Sequence, residues 1–554
     1  MNRTGQGDDL TAFKPFACFA LIWACTTLVH QLAFTFWTES WQGWILVIAA
    51  IACLFQPNCV FRFAFLIFSS LLNLWHKLPF VPNHILFEGM LQVMMAIGLI
   101  SFFVKKKGKA IFDGNDGAWK AKIIFFAIAV AVKVIYFTVP GIPRGYYLGA
   151  PTTLLLLFAT GKLLFHRGRI SGGDDFFYSF APVARVALLI MYMWAALQKL
   201  NHDYLNPDVS CAAKLHQEIA AYFGPLIPTA DWALHGAIYG SFLFEIGIPI
   251  LLYIPRTRFL GFIAAVWFHL WLAIHPAAGI FSFSTLILAL LFLFLPGTWG
   301  ESLQQLWNRQ MQWLGRGDID KGRKRARWMV TLGFLITLIV QGSLYLVIER
   351  SYETFHKANR IGFFTFFAWG CWIGGCYLVA AWKARGESLE FPNRFRCNIC
   401  CLALILVVAN GAWPWIGGRT QTSFSMYSNL RSEGEGNHLF LKRKDILPFQ
   451  QDMVEIISSE PDVLLPAKRP RGIQQFANIG HKVIPWFEFR RLVSEFEGDL
   501  NVRYTRKGEE RILSRKGGTI SGDPEAFEIL PLFQRKFIWF RRLQSLEGPM
   551  NCTH

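Results

Sequence analysis

Residues 258–294 read RFLGFIAAVWFHLWLAIHPAAGIFSFSTLILALLFLF and contain no Asp, Glu, Lys or Arg after Arg258. A helix needs roughly 20 apolar residues to cross a hydrocarbon core about 30 Å thick. Two runs near this length, 258–275 and 280–296, follow one another here with a short break between them. The stretch therefore predicts two neighbouring transmembrane helices.

The composition of the whole chain agrees with this reading. The chain has 554 residues, of which 53% are hydrophobic and 17% are charged, and its mean hydropathy is +0.33. Soluble globular proteins carry about 25% charged residues. These values exclude a disordered chain and a soluble multidomain enzyme. The net charge of +18 is expected to reflect basic cytoplasmic loops, and no nucleic-acid partner is expected.

The same apolar pattern recurs along the first three quarters of the chain. The runs 42–57 and 59–75 are separated only by the tripeptide QPN, so they form either a tight hairpin or a re-entrant pair. The sequence predicts an all-α polytopic membrane protein with about 11–13 transmembrane helices. The thirteen runs are 15–36, 42–57, 59–75, 84–104, 121–139, 148–165, 179–200, 230–254, 258–275, 280–296, 326–347, 359–382 and 396–417.

The basic connectors test the order of these runs. If the runs alternate in direction, five basic connectors all fall on one side of the membrane, which the positive-inside rule assigns to the cytoplasm. The N-terminus is then inside and the C-terminus outside, and a bacterial inner membrane is the expected location. The connectors lie at 105–109, 166–169, 256–258, 321–327 and 383–396.

Residues 419–554 contain no membrane-length apolar run. Short alternating segments at 437–441 and 501–504 predict strands, and 487–496 predicts an amphipathic helix. We therefore expect a small C-terminal α+β extramembrane domain on the outer face. The predicted organisation is a transmembrane domain at 1–300, about three further transmembrane helices at 301–418, and this outer domain at 419–554.

Several titratable residues lie inside the apolar runs, where an unpaired charge is costly. Most lie in the outer third of their run, and Glu245 lies nearer the middle. Titratable groups at one depth predict a polar cavity that opens outward. The alternative is that each histidine hydrogen-bonds privately between helices. The residues are His30, His84, Lys133, Lys199, His235, Glu245, His269 and His275.

Lys199 stands at the end of a long apolar run, in the sequence WAALQKLN. Burial disfavours the charged form of an amine, and a neutral amine can act as a general base. The alternative is an interfacial lysine that extends its amine to water. No metal is expected, because His269 and His275 are six residues apart and the chain has no HExxH sequence.

Four segments, taken in order, resemble the HTTM domain, the transmembrane core of the vitamin K-dependent gamma-glutamyl carboxylase family. The resemblance covers roughly residues 15–300, and the chain is similar to a bacterial-type relative of that family. The segments are 82–86 (PNHIL), 198–205 (QKLNHDYL), 245–258 (EIGIPILLYIPRTR) and 268–294, which begins with FHL and ends with LFLF.

The resemblance implies a site and a chemistry. Lys199 falls on the position of the carboxylase base, His84 and His269 on active-site histidines, and Asn83 beside them. The implied cofactor is vitamin K hydroquinone or a menaquinol-like quinol, which oxygen converts to the epoxide after the base has deprotonated it. In the carboxylase this step drives carboxylation of a peptide glutamate, which makes the chain a possible lyase with a secreted or periplasmic protein substrate.

Two departures from the carboxylase leave alternatives open. The region after the last run is much smaller, and Gln198 stands where a second lysine would precede Lys199. The alternative function is a non-catalytic transporter or lipid-binding protein that uses the same outward-facing cavity, and a third is a membrane scaffold. Residues 424–431 either close over the cavity or form a surface turn with a buried aromatic side chain.

Cys211 and Cys552 are the two cysteines that the predicted topology places outside. Disulfides form in oxidising compartments outside the cytoplasm. A disulfide between these two residues is therefore a hypothesis that the sequence permits.

Overall fold

The structure, a computed structural model, is a bundle of apolar helices with a small sheet at one end. It describes residues 14–33, 37, 40–105, 117–138, 146–164, 173–275, 280–347, 352–385, 395–464 and 482–552. Each of the thirteen apolar runs coincides with a helix in this part of the chain. The all-α membrane fold with a small C-terminal α+β region is thus confirmed.

The bundle is built from long helices joined by short connections. Its helices are α1 (Pro15–Leu32), α2 (Trp41–Phe55), α3 (Val60–Lys77), α4 (Asn83–Lys105), α5 (Gly117–Thr138), α6 (Tyr146–Leu164), α7 (Gly173–Gln198), α10 (Asp231–Tyr253), α11 (Arg258–Ala273), α12 (Phe281–Leu291), α14 (Ile319–Val347), α15 (Tyr352–Lys383) and α16 (Leu402–Ala412). Three more helices, α8 (His202–Leu205), α9 (Cys211–Phe223) and α13 (Gly297–Leu314), lie between them and were not predicted.

Fewer helices than expected are long enough to cross a membrane. Seven of those that the structure describes have the required length and apolar composition, or eight if the bent pair 281–294 and 297–314 is one span. The prediction of 11–13 is higher because several apolar runs form helices that are too short. Examples are α2, with 15 residues, and α11, with 16 residues.

The two ends of the bundle differ in what they contact. At one end, the start of α1 meets the start of α7 through a hydrogen bond from the Phe16 backbone N–H to Asp174. Arg327 at the start of α14 donates to the carbonyl of Phe55 at the end of α2. We name this the basic end, because the basic connectors at 256–258 and 321–327 lie there. The connectors 106–109 and 166–169 and residue Arg394 lie outside the described residues.

Residues 418–464 and 482–552 pack on the opposite end, which we name the tail end. Lys536 donates hydrogen bonds to the carbonyls of His76, in the last turn of α3, and of Leu78, which follows α3. The Leu439 backbone N–H donates to the carbonyl of Leu200, after the end of α7. The C-terminal region therefore contacts the same end at which α7 and α11 present Lys199 and His269.

A five-stranded antiparallel sheet forms the core of this region. Its order is β2 (Val483–Pro485), β1 (Met453–Glu460), β3 (Leu500–Arg506), β4 (Glu509–Lys516), β5 (Thr519–Ser521). Two short helices, α17 (Trp486–Glu495) and α18 (Leu532–Phe537), accompany it. Val454, Val502 and Leu513 of the sheet pack with Phe489 of α17.

Two of the three predicted elements in this region are confirmed. The strand at 501–504 lies within β3, and the helix at 487–496 is α17. The strand predicted at 437–441 is wrong, because this segment forms bends and makes a single bridge from His438 to Asn201. Its side chains hydrogen-bond to the end of α7, so their alternation reflects docking rather than a sheet.

The hypothesised disulfide between Cys211 and Cys552 is present. It joins the first residue of α9 to the last residue of the described chain, across 341 residues of sequence. Both cysteines are buried in a cluster with Tyr204 and Ile238. The bond therefore fastens the C-terminal segment to the tail end of the bundle.

Loss of this bond should destabilise the protein, because a disulfide typically contributes about 2–4 kcal/mol to the free energy of unfolding. We expect Cys211→Ser, Cys552→Ser and the double variant to lower the thermal midpoint by the same amount. Thermal unfolding of the full-length protein in detergent without reductant measures this. A double variant markedly less stable than either single variant would show that the sulfurs act independently.

Candidate functional site

A cavity of about 440 Å³ lies at the tail end of the bundle. Its walls come from α4, α7, α9, α10, α11 and α12 and from the loop after α16, and most of its surface is apolar. The polar residues on its wall include Lys199, Glu245, Asn83 and His84. Its aromatic residues are Phe87, Tyr204, Trp232, Phe244, Trp267, Phe268, Trp271, Phe283, Phe424 and Tyr427.

Lys199 and Glu245 form an ion pair on the wall of this cavity. The Lys199 amine donates to both carboxylate oxygens of Glu245, at 2.7 and 2.8 Å. Lys199 is only 5% exposed, so the interpretation that it extends to water is wrong. Lys199 follows the end of α7 and Glu245 lies in the middle of α10, so packing of these two helices brings the pair together.

The ion pair retains capacity to bind a ligand. A lysine ammonium has three N–H donors, and two of those of Lys199 are used by Glu245. The third can face the cavity, where it would meet an oxygen atom of a bound molecule. A charged pair in an apolar cavity acts with little screening by water.

The tail loop, residues 418–447, closes this cavity. Phe424, Met426 and Tyr427 line its wall, which favours the alternative in which the segment 424–431 closes over the cavity. The loop is tightly coiled, with positive φ angles at Phe424 (64°) and Tyr427 (54°). Such angles are costly for residues with a side chain, so surrounding contacts must hold the loop in this shape.

Side chains from the end of α7 supply those contacts. Gln198 donates to the carbonyl of Ser423 at 2.8 Å, and Asn201 donates to the carbonyl of Ser428 at 2.6 Å. Asn437 of the loop returns a hydrogen bond to Asp203 at 2.6 Å. Gln198, the residue that departs from the carboxylase pattern, therefore holds the loop beside Lys199.

Asn83 and His84 begin α4 and face the same cavity. The Asn83 side-chain oxygen accepts a hydrogen bond from the Phe424 backbone N–H at 2.8 Å, so Asn83 also positions the tail loop. His84 Nε2 lies 2.7 Å from the Ser282 hydroxyl. Its Nδ1 is buried and has no hydrogen-bond partner among the described residues.

His269 lies behind the cavity wall rather than on it. It is fully buried, its Nε2 is 2.6 Å from the Tyr192 hydroxyl, and its ring centroid is 5.3 Å from those of Phe268 and Phe283. Those two phenylalanines line the cavity. The structure therefore places His269 as a support for the aromatic wall.

Three predicted cavity residues lie elsewhere. Lys133 donates to Thr152 and Thr153, between α5 and α6. His235 bonds to the Asp231 carbonyl of its own helix and stacks on Tyr239. His275 is buried with its Nε2 3.2 Å from a Glu218 carboxylate oxygen. Each of these three side chains has its own partner away from the main cavity, as the alternative interpretation expected. The helix face on which a side chain lies determines which neighbour it contacts.

His30 does not line the main cavity, although it was predicted to. Its Nδ1 is 2.6 Å from Glu88 and its Nε2 is 2.7 Å from the Ser282 carbonyl oxygen. His30 and Glu88 line a second cavity of about 370 Å³ with several polar side chains, which we name the polar cavity. Its other polar wall residues are Thr27, Gln31, Ser70, Asn73, His76, Lys77 and Gln92.

The sequence reasoning missed Glu88, although a signal was present. Glu88 is the one carboxylate in the 23-residue helix α4 and lies four residues after His84, on the same helix face. A carboxylate inside an apolar helix is a candidate functional residue, and this rule, which selected Glu245, applies equally to Glu88. Tyr192, Ser282 and Ser241 have uncharged polar side chains, which occur throughout apolar helices, so no comparable signal marks them.

Two tyrosines outside the spans stay protonated donors at the rim of the main cavity. Burial, and then the Glu245 carboxylate, raises the pKa of Tyr204, whose hydroxyl is 2.5 Å from Ser241. Burial, and then the Glu218 carboxylate, raises the pKa of Tyr427. Within the described residues, no group of three or more His, Cys, Asp or Glu side chains is placed to hold a metal ion.

Comparison with known proteins identifies part of this architecture. Residues 180–299 match the family model of the HTTM domain, which is found in vitamin K-dependent carboxylase-like membrane proteins. The match includes Lys199, Glu245 and His269, and it begins after His84. No curated protein and no solved structure matches the chain. The apolar helices and this match together identify an integral membrane protein that carries an HTTM domain over residues 180–299.

Proposed function

We propose that the protein is a membrane enzyme that deprotonates a quinol, or a similar lipophilic hydroxyl compound, for oxygenation to an epoxide. The observation that carries the proposal is the Lys199–Glu245 ion pair on the wall of an apolar cavity. The neighbouring polar groups are few, and a hydroxylated ring with an apolar tail matches that distribution. In the more specific version of this proposal, oxygenation of the quinol also drives the carboxylation of a peptide glutamate.

The position of the cavity supports a substrate that arrives from the bilayer. Trp232 and Trp267 line the cavity and are also 70% and 53% exposed. In the apolar 18-residue stretch of α10 that is long enough to cross a membrane, only 17% of the residues are buried inside the protein. The cavity thus opens past α10 and α11 on a surface that lipid covers, and an apolar tail can enter without crossing water.

The chain's own residues account for the proton transfer. Lys199 passes one of its own protons to the carboxylate of Glu245 and then, as the free amine, receives the hydroxyl proton of the substrate. The substrate gains a negative charge, Glu245 becomes neutral and Lys199 remains a cation beside the new charge. Glu245 is then the final proton acceptor, and Lys199 both transfers the proton and stabilises the anion. Bound quinol supplies the electrons for the reaction with oxygen.

Two observations favour a tail end that faces the periplasm or lumen. The basic connectors lie at the opposite end, as the positive-inside rule expects of the cytoplasmic side. The disulfide lies at the tail end, and disulfides persist in oxidising compartments. We propose a bacterial inner membrane, with the N-terminus in the cytoplasm and the C-terminal region outside.

A non-catalytic lipid-binding protein is the second candidate, because the same apolar opening serves either function. The ion pair separates the two candidates. Simple lipid binding needs no buried charges, which cost free energy to desolvate. If the protein only binds lipid, replacement of the pair by uncharged side chains should leave ligand binding intact, and the wild-type protein should show no turnover.

Replacement of Lys199 should abolish turnover and retain the fold. We expect Lys199→Ala to form no epoxide from reduced menaquinone under oxygen, while the wild-type protein does. Because Lys199→Ala leaves Glu245 buried without its partner, the double variant Lys199→Gln with Glu245→Gln provides an uncharged pair of similar shape. Lys133→Ala, which removes a buried lysine outside the cavity, is the matched control and should remain active.

Product analysis by chromatography measures this turnover, and size-exclusion chromatography checks folding. A folded wild-type protein that forms no epoxide from any quinol would remove the proposed activity. Epoxide from the double variant at the wild-type rate would remove Lys199 and Glu245 from the reaction.

Glycines on α10 offer a test of the binding site that does not depend on turnover. A Cβ atom at Gly240 or Gly247 would meet nothing within 4 Å. Gly240 lines the cavity, whereas Gly247 is outside its wall. We expect Gly240→Leu to fill the cavity and abolish menaquinone binding, and Gly247→Leu to bind as the wild type does. Quenching of tryptophan fluorescence measures binding, and equal affinities for the two variants would place the ligand elsewhere.

A further inference from the structure

The last membrane-length helix of the bundle ends at a lipid–water interface. It includes α16 and covers Ile399–Ile416, and only 33% of these residues are buried inside the protein. A helix of this length extends about 27 Å, which nearly matches a hydrocarbon core about 30 Å thick. Trp413 and Trp415 lie in its last turn, and tryptophan is enriched where lipid meets water. The end of this helix at the tail end therefore lies near the lipid headgroups.

The last part of the tail loop, residues 438–447, is attached to this turn, and we name it the anchor segment. The Lys444 backbone N–H donates to the carbonyl of Trp415 at 2.8 Å. The Leu447 backbone N–H donates to the carbonyl of Ile416, also at 2.8 Å. Because these hydrogen bonds join the segment to the last two residues of the helix, the anchor segment lies at the depth of the interface.

The anchor segment exposes large apolar side chains. Phe440 is 74% exposed, Ile446 is 67% exposed and Leu441 is 38% exposed. Three such side chains within seven residues are unfavourable in water, and exposed apolar patches mark surfaces that contact a membrane or another molecule. Lipid already covers the helix to which the segment is attached, so the acyl chains of the same leaflet are the apolar surface within reach.

The anchor segment also carries an excess of positive charge. Lys442 and Lys444 are exposed. Arg443 is neutralised by Asp445, whose carboxylate oxygen lies 2.7 Å from the guanidinium. Two lysine charges therefore remain without an acidic neighbour in the segment, and basic side chains beside a membrane attract anionic lipid headgroups.

We propose that the anchor segment binds the lipid leaflet at the tail end and prefers anionic phospholipid. Phe440 and Ile446 enter the boundary between headgroups and acyl chains, while Lys442 and Lys444 contact lipid phosphates. The segment belongs to the loop that closes the main cavity, so this contact holds the loop against the membrane as well as against the bundle. The proposal depends on the membrane location of the protein and not on its proposed chemistry.

The first test measures whether lipid shields the segment from water. The full-length variants Phe440→Cys and Ile446→Cys are placed in nanodiscs of phosphatidylcholine and phosphatidylglycerol and treated with a water-soluble maleimide. We expect both sites to react at least tenfold more slowly than Ile512→Cys, a matched site that is 61% exposed on β4. Mass spectrometry of peptides separates each site from the native cysteines, and each rate is divided by that of the unfolded protein. Equal rates at the three sites would place the segment in water and overturn the proposal.

The second test measures the preference for anionic lipid. In nanodiscs with equal amounts of the two lipids, a photoactivatable acyl chain is carried first by phosphatidylglycerol and then by phosphatidylcholine. We expect the wild-type anchor segment to crosslink to phosphatidylglycerol about tenfold more, because each lysine near the surface attracts an anionic headgroup. The double variant Lys442→Gln with Lys444→Gln should crosslink equally to both lipids.

The matched control removes the same charge from the sheet. Lys507 and Lys516 are exposed beside the two ends of β4, and the double variant Lys507→Gln with Lys516→Gln should retain the wild-type preference. Equal crosslinking of the wild type to both lipids, or an equal loss of preference in the two double variants, would overturn the role of the lysines. Neither experiment requires turnover of a quinol, so a failure of the proposed function leaves both results interpretable.

Discussion

Every ionisable side chain inside an apolar helix bundle needs a partner, because water is not there to solvate it. Lys199 with Glu245 and His30 with Glu88 meet this requirement in the walls of the two cavities. Each pair joins helices that are distant in sequence, since 46 residues separate the first two side chains and 58 the second two. The helices around the cavities are thus held in register by the same groups that give the cavities their chemistry.

The C-terminal region depends on this arrangement in turn. The tail loop adopts left-handed backbone angles at Phe424 and Tyr427, which hydrogen bonds from outside the loop help to stabilise. Those bonds come from Asn83 at the start of α4 and from Gln198 and Asn201 at the end of α7. A loop fixed by residues adjacent to His84 and Lys199 closes the cavity only when both helix ends are in place.

The helices of the bundle could be predicted from the sequence because apolar length is a local property. All thirteen apolar runs form helices. The number of helices that cross the membrane could not be predicted from composition, because some runs, such as α2 and α11, form helices that are too short to cross it. The strand expected at 437–441 failed because alternation there serves docking to Asn201, a contact 236 residues away.

Residue type and depth predicted Lys199, Glu245 and His84 as parts of one site, and all three line one cavity. Partner identity could not be predicted in the same way. Lys133, His235 and His275 share the depth of Lys199 but lie on helix faces that meet other neighbours. Which face of a helix meets which neighbour is set by packing across the whole bundle, and a single sequence does not contain that pairing.

The contrast between the two cavities follows from the same packing. Aromatic side chains from α10 and α11 make the main cavity apolar, so the Lys199–Glu245 pair acts there with little screening. The polar cavity lies on the far side of Ser282, where α1, α3 and α4 present hydroxyl and amide groups. Ser282 contacts a histidine of each cavity, His84 through its hydroxyl and His30 through its carbonyl oxygen, so α12 separates the apolar compartment from the polar one.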